Sequence, residues 1–351
     1  MLFSKEDHVI GLDIGSRFIK AVDIYQKPSG FILKRFGMSP LPMETISEGV
    51  VREPELVVDT IKKLMTGLGL KDSMVAAAIS GYSVIIKTIS VAKMSETQLS
   101  ERIHMEAEQY IPFDVQDMNV DFHIVGESDQ NPNQMKVVLV AAKKQIVNTY
   151  MDILQRAGLS PVIIDVDAFA LQNAYEANYF FEDGETALID IGANKMNINI
   201  LKGNAPVLTR DVAVGGEHIT REIMSKFGLT FDQAEALKLG APSNKVSPYD
   251  LQEIISQATS DWCTEIKRAI DFFYTTYTDV SIKRILLSGG CAHIEGLTDM
   301  LEVETSISVE VLNAFNALTM EGKHGATGDI QKVAPQAAIA VGLALRKVDD
   351  K

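Results

Sequence analysis

Two short stretches carry residue types that could grip a polyphosphate. Val9-Ile10-Gly11-Leu12-Asp13-Ile14-Gly15-Ser16 and Ala187-Leu188-Ile189-Asp190-Ile191-Gly192-Ala193-Asn194 each place an apolar run before Asp-Ile-Gly. A second apolar run follows each, over 19–24 and 196–200. The spacing predicts two β-hairpins with glycine where the turn needs positive φ. Main-chain N–H groups at such a tip hold phosphate oxygens without side-chain bulk. Asp13 and Asp190, at the strand ends, suit a hydrated Mg²⁺, which takes few carboxylates and keeps its waters. One Asp-x-Gly turn is ordinary hairpin chemistry. Two in matched surroundings, half a chain apart, point to a duplicated domain closing on one ligand.

Other residues fit the same ligand. Lys20 follows the first turn and could meet a phosphate as a point charge, although a solvated strand lysine is the plainer reading. Gly215-Gly216 joins a strand to a helix, where a ligand can approach the positive end of the dipole. Ser288-Gly289-Gly290-Cys291-Ala292 repeats strand, glycine pair, helix, at the carboxyl end of a strand where α/β ligands sit. Glu235 and Lys238 share a helical face and could contact a ribose and an adenine edge, or form a surface ion pair. The glycine spacing is not GxGxxG, so a dinucleotide fold is not supported.

The elements that must position these groups follow from pattern. The chain has 351 residues, enough for two domains, with 46% hydrophobic and 23% charged residues. Helical periodicity over 55–68 puts Leu56, Ile61, Leu64 and Met65 on one side. Apolar strands are expected over 74–80 and 84–91, then a helix from a Ser95 cap to about residue 110. Strands over 120–125 and 135–142, a helix over 144–157, a strand over 161–167 and a helix over 168–178 complete the first half. Helices over 217–227, 231–239 and 251–276, a strand over 284–288 and a last helix over 335–346 make up the second. The expected organisation is α/β: residues 1–90 and 159–183 form one domain, 91–158 an inserted α+β subdomain, and 184–351 a second domain.

Bulk properties narrow the partners. A net charge of -14 repels phosphate backbones, which argues against nucleic acid. Cys263 and Cys291 lack metal or disulfide spacing and read as buried, reduced thiols of a cytosolic protein. The start, Met1 to Asp7, is charged where a signal peptide would be apolar, and no apolar run is long enough to span a membrane.

These residues together resemble the actin-like ATPase superfamily, with its duplicated ribonuclease H-like domains. Gly11 to Lys20, taking in Asp13, Gly15, Ser16 and Arg17, is similar to the first phosphate loop of that superfamily. Asp190 to Asn194, with Gly192, is similar to its other phosphate loop, and Ser288 to Ala292 resembles its adenosine motif. Within the superfamily the chain is most similar to the PilM family of type IV pilus assembly, on the FtsA-like branch. The similarity rests on Gly11 to Ser16 with Lys20, on Glu106-Ala107-Glu108-Gln109-Tyr110-Ile111-Pro112-Phe113, on Ala141 to Lys144 and on Asp165 to Ala170. It implies ATP and Mg²⁺ in the interdomain cleft, with Gly215, Gly216, Glu235, Lys238, Gly289 and Gly290 also lining it. It further implies a groove near the inserted subdomain for the cytoplasmic N-terminal peptide of PilN. Links to pilus motor ATPases and a place at the inner face of the inner membrane follow, with homo-oligomerisation left open. Asn194-Lys195 stands where a threonine is common, and no general base announces itself, so weak hydrolysis at most is expected. An FtsA-like division protein or a sugar or acid kinase are the alternatives. The first would add an amphipathic tail, the second a carboxylate beside a sugar pocket.

Overall fold

The computed structural model describes residues 8–348 except 29, 48, 82, 129–130, 180–183, 279 and 322–329. The charged start, residues 1–7, lies outside the described residues, as do 349–351.

The first half opens with a meander of β1 (Val9–Ile14), β2 (Phe18–Lys27) and β3 (Gly30–Pro40). The small hairpin β4 (Ile46–Ser47) and β5 (Val50–Val51), helix α1 (Pro54–Leu68) and β6 (Met74–Ile79) follow. An insertion then contributes β7 (Val84–Ala92), α2 (Glu96–Ala107), β8 (Met118–Glu127) and β9 (Gln134–Lys143). The first half resumes with α3 (Lys144–Arg156), β10 (Ser160–Val166) and α4 (Asp167–Asn178). The second half runs through β11 (Glu185–Ile191), β12 (Met196–Lys202), β13 (Ala205–Val212), α5 (Gly216–Phe227), α6 (Phe231–Lys238) and α7 (Pro248–Thr276). It continues through β14 (Ile282–Ser288), α8 (Leu297–Thr305), β15 (Ser308–Val311), β16 (Leu318–Met320) and α9 (Ala338–Ala344).

The two large sheets repeat one plan. Their orders are β10-β6-β1-β2-β3-β16 and β13-β12-β11-β14-β15. In each, an antiparallel three-strand meander is extended from its first strand by two parallel strands. Every residue of β1 and β11 is buried, as expected of central strands covered on both faces. Those two strands carry the Asp-Ile-Gly sequences, so the turns sit at equivalent corners of equivalent sheets.

The helices obey local rules. Pro54 starts α1, and Gly69 ends it in the left-handed region with φ +70. Its core stripe is Val57, Val58, Ile61, Leu64 and Met65. Leu56, expected on that stripe, lies one position off it and is exposed. Ser95 and Gln98 form a capping box at the start of α2. The expected last helix begins as a single 3₁₀ turn at Pro335–Ala337 before α9. All of α9 is buried, and Gly342 meets α4 so closely that a Cβ there would strike the Ala170 carbonyl. Burying Ile339, Val341 and Leu343 contributes roughly 2 kcal/mol each.

The last elements thus return to the first half, since α9 packs on β1 and α4 and β16 pairs with β3. The insertion has its own core around Val91, Leu99, Ile103 and Val137, under the sheet β7-β9-β8. That sheet takes in β7 from Val84, whereas α3 buries Tyr150, Ile153 and Leu154 in the first-half core. At both edges of the expected 91–158 block the side chains Val84, Tyr150, Ile153 and Leu154 pack on the first-half core. Strands β3, β15 and β16 go unannounced by the sequence pattern, and β13 is the strand expected before Gly215-Gly216.

The halves meet through an apolar cluster that joins Val22, Leu33 and Phe36 to Leu188, Leu201 and Leu286, and through hydrogen bonds. Asn199 Nδ2 donates to Ala168 O at 3.1 Å, Gln172 Nε2 to Asn204 O at 2.7 Å and Gly81 N to Asp211 Oδ2 at 2.7 Å.

Candidate functional site

The first turn is closed by Gly15 N donating to Phe18 O at 3.1 Å. Asp13 and Lys20 face each other across β1 and β2, and Lys20 Nζ donates to Asp13 Oδ2 at 2.7 Å. Burial pushes the Asp13 carboxyl up; Lys20 pulls it down, Asp167 adds to the rise, and the net is a raised pKa. For Lys20, burial pushes downward, but Asp13, Asp190 and Asp167 outweigh it and hold the ammonium above its ordinary value. Arg17 reaches the other half, its guanidinium 4.1 Å from the centroid of the Phe231 ring. Its Nη1 is enclosed without a hydrogen-bond partner.

The turn at Asp190 is built alike, with Gly192 N donating to Lys195 O at 2.9 Å. The N–H groups of Ser16, Arg17, Ala193 and Asn194, at the two tips, have no main-chain acceptor among the described residues. Asp190 accepts from Ser288 Oγ at 2.8 Å. Burial raises its carboxyl to about 6, against the Ser288 hydrogen bond and the charges of Lys20 and Lys195, with Asp13 adding to the rise. Lys20 and Asp13 act electrostatically on Asp190, so the two turns lie close to one another.

Two expectations about glycine are corrected. Neither Gly15 nor Gly192 has positive φ. Crowding is the better explanation, because a Cβ would lie 3.0 Å from Phe18 O in the first and 3.3 Å from Lys195 O in the second. The Gly289-Gly290 pair also does not open a helix, for α8 begins only at Leu297. Gly289 does need its φ of +87, and a Cβ there would collide with the Ile191 backbone.

The remaining expected residues form one network around the turn at Asp190. Gly216 N donates to Gly192 O at 3.0 Å and Glu217 N to Ala193 O at 2.8 Å. Two leading N–H groups of α5 are therefore engaged by the turn. With its amide nitrogen toward Glu217, Asn194 donates to Glu217 Oε2 at 2.7 Å. Lys238 Nζ donates to Glu235 Oε2 at 2.7 Å, Thr220 Oγ1 at 3.0 Å and Gly216 O at 3.2 Å. Cys291 N ties the Gly289-Gly290 turn to Ile191 O at 3.1 Å, while Gly290 faces open space. Both cysteines are buried and unbridged, as read from the sequence.

Several participants escaped sequence reading. Lys195 crosses from its turn to Asp167 and Ser80 of the first half. Its pKa is raised, because Asp167, Asp211 and Asp190 more than offset the downward push of burial. Asp167 was visible as the first residue of a helix after an apolar strand, which is the position where α/β sites form. Lys195 stood out only as a departure from a common threonine. Among the described residues no group of three or more His, Cys, Asp or Glu could hold a metal by itself.

A groove lies beside the insertion. One cavity of about 290 Å³ is lined by Val84, Ile86, Pro112, Phe113, Val166 and Asp211. Another, of about 250 Å³, is lined by Thr88, Glu127, Lys136, Pro206 and Tyr277. Between them Thr88 Oγ1 donates to Pro206 O at 3.4 Å. The Tyr110-Ile111-Pro112-Phe113 segment is pinned beside this groove by Lys87 Nζ on Tyr110 O at 3.0 Å and by Lys143 Nζ 4.3 Å from the Phe113 ring centroid. No helix among the described residues is long and apolar enough to cross a membrane.

Known proteins share this fold. A family model described as "Type IV pilus assembly protein PilM" matches residues 11–348. The cell division protein FtsA of Escherichia coli K12 is 23% identical over 341 residues, covering 82% of this chain and 80% of FtsA. FtsA of Bacillus subtilis 168 is 26% identical over 253 residues, covering 65% of this chain and 57% of FtsA. Among solved structures, one described as a PilM-PilN type IV pilus biogenesis complex superposes with a TM-score of 0.85 at 28% identity, covering 98% of this chain and 99% of the other. MreB5 of Spiroplasma citri bound to AMPPNP superposes with a TM-score of 0.56 at 12% identity, covering 97% and 95%. The fold is therefore the duplicated actin-like one, as the resemblance implied.

Proposed function

The chain belongs to the type IV pilus assembly protein PilM family, and from that premise we propose that it binds ATP with Mg²⁺ in the cleft and the PilN N-terminal peptide in the groove. The observation that supports the nucleotide part is the pair of matched turns, with Asp13 and Lys20 paired at one and Asp190 at the other close enough to feel both charges.

In this reading the N–H groups of Ser16 and Arg17 and of Ala193 and Asn194 meet the phosphates from both sides, with Gly15 and Gly192 keeping the tips narrow. Lys20 and Arg17 supply positive charge. Asp190 and Asp13 hold the hydrated Mg²⁺, whose charge neutralises the phosphate oxygens when bound. The raised carboxyl of Asp190 supports this, since a cation is what a buried carboxylate lacks. Glu235, Lys238, Gly215, Gly216, Gly289 and Gly290 border the adenosine side. Hydrolysis is weak at most, because Asp167, the further carboxylate of the crevice, is held by Lys195.

The groove part rests on Val84, Ile86, Pro112 and Phe113, an apolar lining that suits a short hydrophobic segment. Through PilN the protein sits at the cytoplasmic face of the inner membrane, where it links to the pilus motor ATPases, with self-association open. Calorimetric titration with the cognate PilN N-terminal peptide, with and without Mg-ATP, tests this. Binding of both ligands is expected. Failure of the peptide to bind under either condition would remove the pilus reading.

A further inference from the structure

The groove runs between two sheet edges. β7 is the outer strand of the inserted sheet, and β13 is the outer strand of the second-half sheet. Residues 84–86 of β7 share the larger cavity with Thr209 and Asp211, while Thr88 meets Pro206 and shares the smaller one with residues 205–207. The two edges therefore lie antiparallel, with the two cavities on either side of the Thr88–Pro206 contact.

The free main-chain groups of β7 point in a direction fixed by its pairing. Lys143 N donates to Ser83 O at 3.0 Å, and Lys93 N donates to Asn133 O at 2.9 Å. The β7–β9 register runs without a bulge between these anchors. In an antiparallel pair, bonded and non-bonded positions alternate. Odd-numbered residues of β7 thus bond to β9, and Val84, Ile86 and Thr88 direct their main-chain groups outward. Val84 N is already engaged by Gly81 O at 3.0 Å. Ile86 is left with both an N–H and a C=O facing the larger cavity, whose lining is apolar on the β7 side. An unprotected edge of this kind is a template for another strand. The opposite edge is blunted, because Pro206 lacks an N–H and the β12–β13 register shifts between Ile200 and Leu201.

We propose that the partner peptide binds by strand addition, exchanging main-chain hydrogen bonds with Ile86 on the free edge of β7, and that the Thr88–Pro206 contact sets where the added strand stops. This rests on the reading of the groove as the PilN peptide site and specifies its recognition mode. Affinity then comes partly from backbone groups, and alternate peptide side chains point to opposite faces, toward Phe113 and Val166 or away from them.

The test is a scan of single N-methylations along the cognate PilN N-terminal peptide, titrated calorimetrically against the full chain. Strand addition predicts a period of two, with methylation of each N–H facing β7 weakening binding about tenfold or more and the intervening positions tolerated. Ile86→Pro, which removes the outward N–H and also replaces the side chain and fixes φ, should weaken the unmodified peptide similarly, while Ile86→Ala reports the side-chain part. The peptide scan leaves the protein untouched, so it decides even if Ile86→Pro fails to fold. Binding of the unmodified peptide with no alternation in the scan overturns strand addition and leaves the partner reading standing. Alternation with full binding to folded Ile86→Pro overturns the choice of β7. No binding of the unmodified peptide overturns both readings.

Discussion

Acidification should weaken Mg-ATP binding through one residue. Asp190 is enclosed, and burial lifts its carboxyl from 3.8 to about 6. The sign follows from the raised value. Below 3.8 the group is neutral in both folded and unfolded chains, and the folded apo protein loses on the order of 3 kcal/mol from this group as pH rises through 6. The charged form that pH 7 enforces is the one a magnesium ion needs. A group titrating near 6 is about nine-tenths ionised at pH 7 and about one-tenth at pH 5, so affinity should fall about tenfold between them. A phosphate monoester titrates near 6 as well, so the informative quantity is the difference between wild type and Asp190→Asn. Calorimetric titrations at saturating magnesium from about pH 5 to 7.5 would measure it. Wild type should lose about tenfold more affinity than the variant across that range. Parallel curves for the two proteins would refute the assignment of Asp190 to the cation. Ser288→Ala, which removes the hydroxyl that steadies the carboxylate, should move the wild-type curve to higher pH.

Lys195→Ala leaves the mostly buried Asp167 facing Asp13 without its counter-charge. Breaking a fully buried pair costs about 3–5 kcal/mol, and the part-exposed lysine reduces this to about 2 kcal/mol, readable by urea unfolding. The same variant should speed hydrogen exchange around Ser80. Gly289→Ala forces a Cβ onto the Ile191 backbone at positive φ and should cost at least about 2 kcal/mol while weakening nucleotide binding. Leu99→Ala opens a cavity in the inserted core worth roughly 3 kcal/mol. Peptide titration should suffer in that variant while Mg-ATP titration does not.

The turns were legible because Asp-Ile-Gly between apolar runs is a local signal, and duplication made it stronger than either copy alone. Capped helices were legible for the same reason, as Ser95 with Gln98 shows. Strand β3 was not, because Gly37 and the paired charges Lys34 and Arg35 interrupt its alternation. Strand β13 was expected before Gly215 but without limits, since its Pro206 reads as a breaker unless the strand is known to lie at an edge. The sequence shows that Val84 and Tyr150 are apolar without showing that both pack on the first-half core. The pairing of Lys195 with Asp167 was hidden for a further reason. Their meaning lies in a bond across the two halves, and no window of sequence contains both.

The return of α9 to the first half constrains how the chain can be made. The second-half sheet, β11 to β15, is contiguous in sequence and can close as soon as it leaves the ribosome. The first-half sheet cannot. β1 waits for a covering helix more than three hundred residues downstream, and β3 waits for β16 at its edge. Long-range contacts of this kind form late and leave apolar surface exposed meanwhile. The amino-terminal half, although synthesised first, is therefore the last to be completed, and it is during that interval that a chaperone would be needed.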